Sequence, residues 1–66
     1  MARRIITLTT DFGTADSYVA AMKGVILSIN PAARLVDLSH ELAPHDVVGA
    51  ALFLADAIRY FPEGTV

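Results

Sequence analysis

A run of β-branched and apolar residues, Ile5-Ile6-Thr7-Leu8-Thr9-Thr10, breaks off at Asp11-Phe12-Gly13, and a second short strand, Arg34-Leu35-Val36-Asp37-Leu38-Ser39, follows only after a helix-period stretch. Branched residues suit a pleated strand, and Asp and Gly punctuate its end. Between the two runs, Val19, Met22, Ile26 and Ile29 recur at the spacing of one helix face, with Tyr18 and Val25 widening the stripe. Asp16 or Ser17 stands where a helix cap belongs. Asn30-Pro31 ends the helix, because proline lacks an amide donor and pushes the preceding residue away from helical dihedrals. Two strands joined through a helix are a crossover unit, and the strands run parallel.

The pattern then begins again. Asp46 is a good N-cap for a second helical stretch, whose buried face is read from Val47, Ala51, Leu54 or Ala55, and Ile58. Phe61-Pro62-Glu63-Gly64 ends it, and Thr65-Val66 looks like the opening of a third strand. Gly24 costs about 1 kcal/mol against alanine inside a helix, so it is expected to mark a close approach of backbone to sheet. The fold class is therefore α/β: a Rossmann-like β-α-β-α segment of a parallel sheet.

Such a segment is incomplete as a stand-alone domain. Two parallel strands and two helices leave strand edges and helix faces uncovered. A unit of 66 residues also buries only about 60% of its unfolded surface. No cysteine is present to form a disulfide or a thiolate metal site. The chain is thus expected to be a piece of something longer.

Composition narrows the function. Seven acidic residues against five basic ones, with no basic cluster, argue against nucleic-acid binding. The longest apolar block, residues 49–55, is far short of the ~20 residues a membrane helix needs. A soluble, cytoplasmic protein is expected.

Ligands of open α/β sheets lie beyond the carboxyl ends of the strands. Two polar segments fall there, residues 11–17 and 39–46. Two roles are open to Asp11. A carboxylate ending the first strand can accept hydrogen bonds from the vicinal hydroxyls of a ribose, with Gly13 allowing close approach, or it can simply anchor its own turn. Asp16 either caps the helix or meets a ligand ammonium group. His45 either lines a pocket wall or faces solvent. Asp37, inside a strand read as buried, is expected to shape the sheet end. The string from His40 to His45 is one residue longer than a zinc-binding H-E-x-x-H, and Pro44 forbids the helix that would align the histidines, so no metal is expected. Asp11-Phe12-Gly13 spells a kinase tripeptide without the Gly-rich loop or strand lysine of a kinase. Neither a G-x-G-x-x-G nor a P-loop is present.

Taken in order, residues 6–13 (Ile-Thr-Leu-Thr-Thr-Asp-Phe-Gly), Asp16, Met22-Lys23-Gly24, Val36-Asp37-Leu38-Ser39-His40, Pro44-His45-Asp46 and residues 59–66 (Arg-Tyr-Phe-Pro-Glu-Gly-Thr-Val) resemble the opening of the S-adenosylmethionine hydroxide adenosyltransferases, relatives of the fluorinases and chlorinases. The resemblance covers nearly the whole chain. It implies that residues 1–66 are the N-terminal part of an α/β adenosyl-binding domain, with a β-rich C-terminal domain lying outside this chain. It implies a trimer that binds its ligand between subunits. The substrate would be S-adenosylmethionine, with no further cofactor. The aspartate matching Asp11 holds the ribose hydroxyls, and the one matching Asp16 lies near the methionine amino group in the halogenating relatives. Those relatives carry a tryptophan beside the ribose at the position of His45, and this departure favours the hydrolase branch.

The reaction so implied is attack of water, as hydroxide, on C5′, giving adenosine and L-methionine. The family's water-activating Asp-Arg-His set has no counterpart that can be placed in residues 1–66, so no catalytic residue is named, and this segment alone is expected to be inactive. The alternatives are a halogenase and a non-catalytic adenosine-binding module.

Overall fold

The computed structural model describes residues 4–66, in the order β1 (Ile5–Thr9), α1 (Tyr18–Ile29), β2 (Arg34–Ser39) and α2 (Val47–Ile58). β1 and β2 pair in parallel, with Ile5 opposite Arg34 and Leu8 opposite Asp37. The next pair is Thr9 with Ser39, which leaves Leu38 as an extra residue. Side chains alternate faces along a flat strand, so residues an odd number apart point to opposite sides. The bulge resets that alternation. Asp37 and His40, three residues apart, consequently meet on one side of the sheet, Oδ1 to Nε2 at 2.9 Å.

Val66 pairs along the other edge of β1. Its amide donates to the Ile5 carbonyl at 2.9 Å, and its own carbonyl accepts from the Thr7 amide at 2.6 Å, which is the parallel pattern. β1 is thus flanked on both sides. The chain crosses one way from β1 to β2 and the other way from β2 to Val66. With the right-handed crossovers that parallel units adopt, such a reversal puts α1 and α2 on opposite faces. Overall dimensions of 36 × 29 × 13 Å fit a narrow slice through three layers. The carboxyl end of β1 is therefore a topological switch point, the place where open α/β sheets bind ligands.

Packing is partial. Leu8 is the one buried apolar residue among the described residues. α1 turns Val19, Met22 and Ile26 inward, half-buried, as its stripe predicts, but Tyr18, Val25 and Ile29 are exposed, Ile29 by 80%. In α2 the expected face is corrected. Val47 (78% exposed), Ala51 and Ala55 look outward, while Leu54 and Ile58, 38% and 39% exposed, are mostly covered beside the half-buried Gly49, Ala50, Phe53 and Ala57. This helix is apolar nearly all round, with Asp56 its only charge, so hydrophobic period cannot choose a side. The small residues Gly49, Ala50 and Ala57 lie on the side that meets the rest of the structure.

Gly24 is corrected too, since a Cβ there would meet nothing within 4 Å. Ser17 is the α1 N-cap but makes no side-chain cap bond; its ψ of 6° departs from the β-region geometry that aims a capping hydroxyl at the free amides. Asp46 does cap α2, accepting from the Gly49 amide at 2.9 Å. Among the described residues no helix is long and apolar enough to cross a membrane.

Candidate adenosyl-binding site

The two polar segments converge at the carboxyl end of the sheet. Thr9, Thr10 and Asp11 from the end of β1 face Leu42, His45 and Asp46 from the β2–α2 connection across an open cleft of ≈ 250 Å³. Main-chain bonds stitch the segments together. Thr10 N donates to the Ser39 carbonyl at 2.9 Å, Gly13 N to the His40 carbonyl at 2.6 Å, and Leu42 N to the Thr10 carbonyl at 3.4 Å. Gly13 takes φ 74°, a left-handed conformation that glycine adopts without a Cβ penalty.

Asp11 is exposed on the rim of this cleft, and its carboxylate makes no hydrogen bond or ion pair within the described residues. Its own turn is closed by a neighbour instead: Phe12 N donates to Thr10 Oγ1 at 3.2 Å. Turn anchoring therefore does not occupy Asp11. His45 lies on the opposite wall with φ 64°, the only non-glycine left-handed residue described. Asp16 is exposed but is not part of the cleft lining. Asp11 and His45 share one site, and Asp16 stands outside it. The Thr9 hydroxyl, also in the cleft lining, is buried without a partner among the described residues.

Beneath the turn lies a polar chain that sequence patterns did not reveal. Lys23 Nζ donates to Asp37 Oδ2 at 2.7 Å. The other carboxylate oxygen meets His40 Nε2 at 2.9 Å, and His40 Nδ1 meets Thr10 Oγ1 at 2.7 Å. Asp37 is 42% exposed rather than buried. The Lys23 ammonium first, and then the His40 ring, hold its carboxyl below the usual carboxylate range. The spacing of Asp37 and His40 was available in the sequence, but the bulge that makes them neighbours was not. His40 is 5% exposed under the turn, whereas His45 lines the rim, so the two do not form one ligand pair. No group of three metal-ligating side chains occurs among the described residues.

Residues 6–66 match the family model described as the SAM hydroxide adenosyltransferase N-terminal domain. The chain belongs to this family. An (R)-S-adenosyl-L-methionine hydrolase of Methanocaldococcus jannaschii is 53% identical over 62 residues, covering 88% of this chain and 24% of that protein. A fluorinase of Actinoplanes sp. is 47% identical over 62 residues, covering 94% of this chain and 21% of that protein. The crystal structure of a conserved hypothetical protein from Thermus thermophilus superposes with a TM-score of 0.78 at 44% identity, over 97% of this chain and 26% of that one. The chain thus spans about a quarter of the length of the relatives it matches. Within that span lie both walls of the cleft.

Proposed function

We propose that the full-length protein hydrolyses S-adenosyl-L-methionine to adenosine and L-methionine, and that this segment supplies the wall that grips the ribose. One observation carries the reading: the Asp11 carboxylate, without a partner among the described residues, stands on the rim of a cleft at the switch point of the sheet. Two carboxylate oxygens can accept from two vicinal hydroxyls, and such charge-assisted bonds are among the stronger ones. The substrate's sulfonium group suits a rim bearing Asp11 and Asp46. Asp16, outside the cleft lining, is assigned to the methionine amino group.

In the reaction a water oxygen forms a bond to C5′ as the C5′–sulfur bond breaks, and that electron pair returns to sulfur to give neutral methionine. The water proton leaves to a base, a role assigned to no residue of this segment. With so good a leaving group, catalysis rests on holding water and C5′ in line and on excluding bulk solvent. Asp11 serves the first of these by fixing the ribose. The same reading takes the protein to be a cytoplasmic trimer with its ligand between subunits, no cofactor beyond the substrate, and no nucleic-acid partner.

The fluorinase relative motivates a second reading, in which halide replaces water at C5′. Incubating the full-length protein with S-adenosylmethionine decides between them. Adenosine and methionine without dependence on halide support the hydrolase; a 5′-halo-5′-deoxyadenosine identifies the halogenase. Adenosine binding with no turnover leaves only a binding module. Asp11→Ala binding adenosine as well as the parent removes Asp11 from the ribose role.

A further inference from the structure

We infer that His40 is a positioning residue for ligand binding: through Thr10 it holds the turn that presents Asp11, and its own orientation is set by Asp37 and Lys23. The inference rests on the ribose reading of Asp11.

The hydrogen-bond directions follow from the acid at one end of this series. An ionised Asp37 only accepts, so the 2.9 Å contact makes His40 Nε2 the donor. In the neutral ring Nδ1 is then the acceptor, and the Thr10 hydroxyl must donate across 2.7 Å. That leaves the lone pairs of Thr10 Oγ1 to accept the Phe12 amide at 3.2 Å. One tautomer satisfies every partner. The backbone of His40 completes the grip, its carbonyl accepting from Gly13 N at 2.6 Å. Residues on both sides of Asp11 are therefore held by this one histidine, and the Asp11 carboxylate has no partner among the described residues.

The order Thr10, His40, Asp37 has the appearance of a nucleophile, base and orienting acid. The environment gives it a different task. His40 is 5% exposed with both ring nitrogens engaged, and the Thr10 oxygen both bonds the ring and accepts the Phe12 amide, so each group of the series is already committed to holding the turn. Holding a binding group in place is worth much to an enzyme, because a displacement of about 1 Å can cost on the order of a hundredfold in rate.

Two substitutions of one residue separate the ring's halves in the full-length protein. Asparagine matches the Nδ1 side of imidazole, and its carbonyl can still accept from Thr10. Glutamine reaches the Nε2 position, can donate to Asp37, and has nothing to offer Thr10. The readout is discrimination between adenosine and 2′-deoxyadenosine, measured by titration calorimetry, since it isolates the diol contact from general loosening. His40→Asn is expected to retain discrimination within about threefold, while His40→Gln and Thr10→Val each reduce it about tenfold. The His40→Gln/Thr10→Val double variant should lose no more than either alone, because the two act through one bond. Thr10→Ser should restore it. If a His40 variant does not fold, the Thr10→Val and Thr10→Ser pair decides.

Equal weakening toward both nucleosides, or undiminished discrimination in folded Thr10→Val and His40→Gln while Asp11→Asn abolishes it, overturns the positioning role and leaves the ribose reading intact. Asp11→Asn with unchanged discrimination removes both.

Discussion

His40, just past the end of β2, reaches under the turn that follows β1 and binds Thr10, Nδ1 to Oγ1 at 2.7 Å. This contact joins the two loops that form the cleft, and the stability of the site depends on it. Thr10→Val removes the donor and strands a buried ring nitrogen, for which a cost of about 1–3 kcal/mol is expected. Thr10→Ser keeps the hydroxyl and should cost less than about 1 kcal/mol. Urea unfolding of the two variants checks the difference; equal midpoints would show that the bond contributes nothing.

Asp37 gives the protein an acid-sensitive contact. Its carboxyl is held below the ordinary range in the folded state, by Lys23 first and His40 second. A depressed folded value contributes stability above the unfolded carboxyl's pKa and loses it as pH falls through the folded one. The stability gap between parent and Asp37→Asn should therefore be full near neutrality and shrink as pH drops from about 5 toward 3. Because the pair is partly exposed, salt should narrow the gap too, and its size should be near 1 kcal/mol or below. A gap that widens in acid contradicts this assignment.

The two helix glycines should respond differently to alanine. Gly24 has open space at its Cβ position, so Gly24→Ala should stabilise by roughly 0.5–1 kcal/mol. A Cβ on Gly49 would fall 2.7 Å from the Asp46 carboxyl carbon, displacing the cap. Losing a cap costs about 1 kcal/mol, which offsets the helix gain, and Gly49→Ala should be neutral or destabilising. Thermal unfolding followed by circular dichroism distinguishes the pair.

His45 adopts a left-handed backbone at the cleft wall. Asparagine tolerates that region and valine does not. His45→Val should destabilise by about 1–2 kcal/mol, whereas His45→Asn should stay within about 0.5 kcal/mol of the parent. Denaturant midpoints for both variants test the backbone requirement apart from any role of the imidazole.

Much of this fold was legible in the residues themselves. The short strand read at 34–39 became β2 with those bounds, Asn30-Pro31 closed α1, and Asp46 capped α2. In each case a local steric or hydrogen-bonding demand identifies the residue type. The orientation of α2 was not legible, because a helix apolar on nearly every side carries no directional signal. The bulge at Leu38 was equally hidden: it arises from pairing between strands distant in sequence, which no single-strand pattern reports. The polar series from Lys23 to Thr10 depends on that bulge and was missed with it. Asp11 and His45 could be assigned to the loops at the carboxyl edge from topology alone, but that Asp11 has no partner among the described residues only became visible in three dimensions.

Val66, hydrogen-bonded along β1 opposite β2, has a consequence for register. A strand zipped to one neighbour can slip by a residue pair at the expense of a single ladder; β1 would have to break two. The height at which Asp11 emerges above the sheet is thereby set by backbone pairing on both flanks, and the Thr10 and His40 side chains act on the turn beyond it. Loosening the Val66 side should blur that height even with every cleft residue intact.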